Sequence, residues 1–218
     1  MPESYIVFFD LDRTILNRNS GSIIVRQAYK KGLMSTRNLI QAIWLSYMYK
    51  LNLCETKLII QKMGTWVKGL RFEEIDELSR EVVNQFLIEN IRPEIIKAIN
   101  SHRKNNARLG ILSSAISSIC VPVSRYLGIE EIICSVMETI EGIMTGSPVG
   151  NFCFGDEKRI RLLSFCEKNN LDPAQAWYYS DSISDLPVFE VVGHPVCVSP
   201  DKKLTRIARE KGWEICNW

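Results

Sequence analysis

The sequence predicts an α/β protein, a doubly wound and mostly parallel sheet with an all-helical insertion after its first strand. Three observations carry that expectation. The run Ile6-Val7-Phe8-Phe9 has no polar alternation, as in a strand buried on both faces, and it delivers Asp10 and Asp12 where the strand should end. Residues 19–90 carry helical patterning throughout, and beyond them short apolar runs alternate with helix-length stretches. Acids at the carboxyl end of a parallel strand line the crevice where ligands bind, so Asp10 and Asp12 read as functional rather than as a solvated strand end.

After the first strand, Leu16-Asn17-Arg18-Asn19-Ser20-Gly21 is polar and turn-like. Helices are expected over residues 22–31, 36–51, 55–67 and 72–89, punctuated by Gly32, Asn52 and Gly69. Residues 39–53 are rich in large apolar side chains, among them Trp44, Tyr47, Met48 and Tyr49. A membrane span needs about twenty apolar residues, and this stretch contains Gln41 and is bounded by Lys50 and Asn52, so it is too short and too polar. A helix that is apolar around most of its girth is expected to be buried, here as the insertion's own core, with the choice of any substrate-facing aromatics left open.

Pro93 suits the first turn of a helix running to about residue 105. Residues 107–112 form the second strand, which Ser113-Ser114-Ala115 is expected to end; a helix then runs to Leu127, with Gly128 as its carboxyl cap and Pro122 near its start or bending it. Residues 132–136 read as a strand, and 139–146 as a hairpin turning at Glu141-Gly142. Residues 157–169 form an amphipathic helix with Lys158 in its first turn, and 176–180 a strand. Ser184 opens a short helix that tolerates Pro187. The alternation repeats with a strand at 196–198, a helix at 202–210 and a short edge at 213–215.

The 27 basic and 25 acidic residues leave a net charge of +2, so no broad field draws nucleic acid or an anionic membrane, and no obligate protein partner is implied. Cys54, Cys120, Cys134, Cys153, Cys166, Cys197 and Cys216 are dispersed, odd in number and without a Cys-x-x-Cys pair, which points to reduced thiols in a cytoplasmic protein. The start of the chain shows no export pattern, because Phe9 runs directly into Asp10. His102 and His194 lack partners at metal-ligand spacing and are expected at the surface or satisfied in the core.

The stretch from Ile6 to Thr14 resembles motif one of the haloacid dehalogenase (HAD) superfamily, Asp-x-Asp-x-Thr after a hydrophobic strand. Three further matches follow in order: Ser113 after Arg108-Leu109-Gly110-Ile111-Leu112, Lys158 in Gly155-Asp156-Glu157-Lys158, and Asp181 with Asp185 after Trp177-Tyr178-Tyr179-Ser180. The wording from Ser180 to Pro187 is most similar to the phosphoserine-phosphatase-like branch, subfamily IB. This resemblance implies a Rossmann-like core of residues 1–18 and 91–218, a substrate-selecting helical cap at 19–90, and a magnesium-dependent phosphomonoesterase acting on a small phosphorylated metabolite.

By the same resemblance, Asp10 is the nucleophile that forms an aspartyl-phosphate, and Asp12 is the general acid and base. Ser113, the main-chain amide of Ser114, Thr14 and Lys158 belong to the phosphate-binding set, with Lys158 also neutralising the nucleophile. Asp10, the main-chain carbonyl of Asp12 and Asp181 bind the metal, and Asp185 arranges its waters. In the enzymes that name the branch, an acidic residue shortly after motif one receives the substrate's ammonium group; here that position is Asn19, which can hydrogen-bond a cation but cannot pair its charge. Ser180 replaces a usual glycine, and Ser184 stands where those enzymes have asparagine.

Charge counting points to a metal independently. Two unit charges about 4 Å apart interact by about 4 kcal/mol at an effective dielectric of 20, so four aspartates in one cleft repel strongly and Lys158 alone cannot balance them. A divalent cation leaves a residual near minus one, which a proton on Asp12 removes. Oxygen ligands and a phosphate partner favour magnesium over zinc. Two alternatives stay open: a phosphotransferase or phosphomutase passing the phosphoryl group to a second hydroxyl, and a non-catalytic phosphate-binding regulatory protein, which the intact acids argue against.

Overall fold

β1 (Ile6–Phe9) is buried along its whole length in a computed structural model of the protein, which describes residues 5–50, 62 and 64–218. It pairs in parallel with β2 (Arg108–Ile116) on one side and with β6 (Trp177–Ser180) on the other. β3 (Glu131–Ser135) flanks β2, while β7 (His194–Val198) and β8 (Glu214–Cys216) extend the sheet beyond β6, giving the all-parallel order β3-β2-β1-β6-β7-β8. The strand order reverses about β1, which puts its carboxyl end at a topological switch point.

The lack of polar alternation in β1 follows from this placement. Val7 and Phe9 join Ile111 and Tyr179 in a cluster with α1 (Ser20–Lys30), α3 (Phe72–Val82), α4 (Pro93–Lys104) and α5 (Ser117–Leu127). Ile6 and Phe8 join Leu112 and Tyr178 on the opposite face, under α6 (Asp156–Lys168), α7 (Leu186–Phe189) and α8 (Lys202–Lys211). Gly110 belongs to the same economy of space, since a Cβ there would lie 2.4 Å from the Phe8 ring. His102 is buried, with its ring nitrogens bonded to the Tyr5 hydroxyl at 3.0 Å and the Tyr179 hydroxyl at 2.9 Å.

Main-chain bonds join the described residues between 19 and 90 to the rest of the chain. At their ends, Leu16 and Ile91 form an antiparallel bridge, the Asn17 N–H donates to the Asn90 carbonyl, and the Arg92 N–H donates to the Ile15 carbonyl. Farther out, the hairpin of β4 (Met137–Ile140) and β5 (Ile143–Pro148) turns at Glu141 and Gly142, both with positive φ, and exchanges main-chain bonds with residues 69–72. Those bonds run from Gly69 N to Met144 O at 2.9 Å, from Met144 N to Leu70 O at 2.9 Å and from Phe72 N to Gly142 O at 2.8 Å. Val67, Ile75 and Met144 are buried beneath them.

Several expectations change. β2 does not stop at Ser113 but continues to Ile116, where a register shift lets it regain β3 at Ser135; the serines look like a strand terminus only because their partners are distant in sequence. Pro122 consequently falls inside α5. α1 begins at Ser20, because Asn19 caps it. α2 (Thr36–Lys50) is not the insertion's buried core: Ile40, Ile43, Trp44 and Tyr47 are each more than half exposed, and the helix buries Leu45 instead. Most of the helix expected at 55–67, together with Cys54, lies outside the described residues, and its end at Thr65–Val67 is a 3-10 turn. Among the described residues no helix is long and apolar enough to cross a membrane.

Candidate active site

Side chains of one parity along β1 and β6 face α6, so Asp10, continuing the face of Phe8, and Tyr178 and Ser180 point toward the same helix. From the first turn of α6, Lys158 reaches back to them. Its ammonium donates to Asp10 Oδ1 at 2.8 Å, to Asp185 Oδ2 at 2.8 Å and to the Tyr178 hydroxyl at 3.1 Å, and its side chain is 3% exposed. Burial alone would strip Lys158 of its proton, but the two carboxylates more than offset that and hold the ammonium well above the ordinary lysine range.

Asp185 Oδ2 accepts three bonds: from Lys158, from the Tyr178 hydroxyl at 2.7 Å and from the Ser180 hydroxyl at 2.6 Å. Its Oδ1 is buried with no partner. Sequence reasoning missed Tyr178 and Ser180 as members of this site. The available signal was their period-two spacing on the strand that carries Asp181, with a hydroxyl in place of the usual glycine.

The rest of the constellation gathers at the same strand ends. The register places Ser113 and Asp181 one rung beyond Asp10, on its two neighbouring strands. Ser113 is buried, its hydroxyl accepting from the Ala115 N–H at 3.3 Å, whereas Ser114 is exposed and its carbonyl accepts from the Ser135 hydroxyl. Thr14 is fully buried and its hydroxyl has no partner. Asp12 is half-buried and turned toward α1, where the Ser20 N–H donates to Oδ1 at 2.8 Å and the Asn19 amide donates to Oδ2 at 2.9 Å.

Burial raises Asp10 to about 6, with Lys158 pulling it down and Asp185 pushing it up. Burial, reinforced by the charges of Asp10 and Asp185, raises Asp181 to about 8. Asp12 is also raised by burial, against the donors from Ser20. Three buried acids around one ammonium, together with an orphaned carboxylate oxygen, fit a hard divalent cation. No three His, Cys, Asp or Glu side chains among the described residues form a ready cage. Magnesium commonly takes only one or two carboxylates, with water and substrate phosphate completing its shell, so Asp10 and Asp181 are the side chains that could hold it.

A family model described as haloacid dehalogenase-like hydrolase matches residues 7–190. A histidinol-phosphatase of Neisseria meningitidis serogroup C is 29% identical, with 98% of each chain aligned. Phosphoserine phosphatase SerB1 of Mycobacterium tuberculosis is 24% identical over 95% of this chain and 69% of its own. Among solved structures, a Bordetella pertussis Tohama I protein of unknown function superposes with a TM-score of 0.88 at 20% identity, covering 98% of this chain and 99% of its own. A substrate-bound phosphoserine phosphatase superposes at 0.75 with 13% identity, covering 99% and 93%. These superpositions share the α/β fold and its parallel sheet.

Proposed function

Because the chain belongs to the haloacid dehalogenase-like hydrolases, we propose that it is a magnesium-dependent phosphomonoesterase that hydrolyses a small phosphorylated metabolite through an aspartyl-phosphate on Asp10. The observation that carries this reading is the buried Lys158 ammonium, 2.8 Å from both Asp10 and Asp185 at the carboxyl end of the central strand. Asp12 is held separately on the insertion side. A nucleophile paired with a cation, and an acid set apart from it, is the division of labour that phosphoryl transfer requires.

In this mechanism the Asp10 oxygen not engaged by Lys158 attacks phosphorus in line with the leaving oxygen. As the phosphorus–oxygen ester bond breaks, Asp12 gives its proton to the departing alkoxide, and the alcohol leaves Asp10 phosphorylated. Asp12, now a carboxylate, takes a proton from water, whose oxygen attacks the same phosphorus and breaks the acyl-phosphate bond, returning inorganic phosphate and free Asp10. Lys158 offsets charge on Asp10 and on the phosphoryl oxygens throughout, and the Ser113 hydroxyl and Ser114 amide orient those oxygens. A magnesium ion bound by Asp10, Asp181 and the Asp12 carbonyl would supply further neutralisation of phosphoryl charge.

The same reading takes residues 1–18 and 91–218 as the catalytic core and 19–90 as a cap, which the antiparallel bridge between Leu16 and Ile91 supports. Buried thiols at Cys120, Cys134, Cys153, Cys166 and Cys197 support a reducing, cytoplasmic setting. The substrate class is an alkyl phosphate, the class to which phosphoserine and histidinol phosphate belong. Phosphate release from p-nitrophenyl phosphate and a panel of such esters is expected with magnesium, and is expected to vanish on chelation and in Asp10→Asn. A folded, magnesium-loaded protein that releases no phosphate across the panel refutes the reading.

A further inference from the structure

We infer that Asn19 is a positioning residue, clamping the general acid Asp12 to the start of the insertion, rather than a recognition residue for the substrate. The inference rests on the hydrolase reading above for the role of Asp12, but the clamp itself is geometric. Asn19 Nδ2 donates to Asp12 Oδ2 at 2.9 Å, and the next residue's main-chain N–H, Ser20, donates to Asp12 Oδ1 at 2.8 Å. Both oxygens of one carboxylate are thus bound by consecutive residues of one helix start. Two donors on two oxygens fix the plane of the carboxyl group, which a single bond would leave free to rotate.

Asn19 is itself held in place. Its Oδ1 accepts from the Ser22 N–H at 2.8 Å, capping α1, and the Ser22 hydroxyl donates to the Asn19 carbonyl at 2.8 Å. The amide can face only one way: rotated by half a turn, it would set its carbonyl oxygen against the Asp12 carboxylate and its NH2 against the Ser22 N–H. A carboxylate at position 19 would likewise face the Asp12 carboxylate, so the neutral amide is what this pairing demands. The amide that the resemblance would turn to a substrate cation is here engaged by Asp12. It also ties the aim of Asp12 to the placement of α1, the first helix of the insertion.

Asn19→Ser and Asn19→Ala separate the two bonds. Serine keeps the helix cap and loses the long amide donor, and alanine loses both. With an alkyl phosphate, whose leaving alkoxide needs a proton, kcat/KM is expected to fall by about tenfold to a hundredfold in either variant. With p-nitrophenyl phosphate, whose leaving group departs without one, the fall should stay within about threefold, and inhibition by inorganic phosphate should be unchanged within about twofold. Equal losses on both esters, losses confined to amine-bearing esters, or no loss at all overturns the assignment. Independently of turnover, the Ser20 amide proton is expected to move upfield in Asn19→Ser as Asp12 swings free, while the other α1 amides stay in place; an unmoved Ser20 resonance overturns the clamp. A wild-type protein that hydrolyses neither ester while the Ser20 resonance still shifts would retire the hydrolase reading and leave the clamp standing.

Discussion

Magnesium should stabilise this protein more as the pH rises, and the size of that dependence follows from the acids around Lys158. Asp181 has its pKa raised from 3.8 to about 8 by burial and by the charges of Asp10 and Asp185. An acid raised in the folded state keeps its proton there after the unfolded chain has lost it, so folding stability falls as pH climbs from the unfolded value through the folded one. At about 1.4 kcal/mol per unit, the raised pKa of Asp181 leaves the metal-free protein about 4 kcal/mol less stable at pH 7 than in acid, where folded and unfolded chains both keep the proton. Asp10, raised to about 6, adds a smaller term of the same sign that is complete by neutral pH.

A cation bound to both carboxylates needs them ionised and expels those protons. At a fixed magnesium concentration well above its dissociation constant, the stabilisation should grow by about 2–3 kcal/mol between pH 6 and pH 8, or roughly 5–10 °C in Tm for a chain of this size. Thermal melts over that range, with and without magnesium, read the difference directly. Calorimetric titration in two buffers of different ionisation enthalpy should show about one proton released at pH 7. A magnesium shift that is flat or shrinks with pH would mean that these acids are not the ligands.

Three further outcomes are expected. Tyr178→Phe and Ser180→Ala each remove one donor from Asp185 Oδ2; kcat should fall about tenfold with KM nearly constant, and a kcat unchanged from wild type in both variants would show that the hydroxyls do not orient the acid. Arg13 is exposed and holds φ at 61°, a left-handed conformation that glycine adopts without strain, so Arg13→Gly should raise stability by about 1 kcal/mol in chemical denaturation; a loss would show that its side chain makes compensating contacts. Gly110→Ala drives a methyl into the Phe8 ring and should cost about 2–3 kcal/mol by the same measurement, whereas a neutral result would mean that the ring has room to turn.

The central strand and its acids were legible because burial on both faces removes polar residues, so Asp10 stands out against Ile6 to Phe9. The alternation of strands and helices was legible for the same reason, as was the Glu141-Gly142 turn, where a positive φ at the second position favours glycine. The exposed face of α2 was not: with apolar residues on every side, nothing in the pattern says which face a neighbour covers. Nor was the end of β2, since the shift that carries it past Ser113 depends on Ser135. Asn19 was found by position, but its partner is a carboxylate seven residues earlier that only the chain reversal between β1 and α1 brings alongside.

The seam between the β4–β5 hairpin and residues 69–72 ties stretches far apart in sequence into one cooperative unit. Its three main-chain bonds lie over the buried Val67, Ile75 and Met144, while α1 and α3 share one apolar cluster with the central strand. Parting the hairpin from residues 69–72 therefore uncovers apolar surface as well as breaking bonds, so the described helices and the sheet stand or fall together.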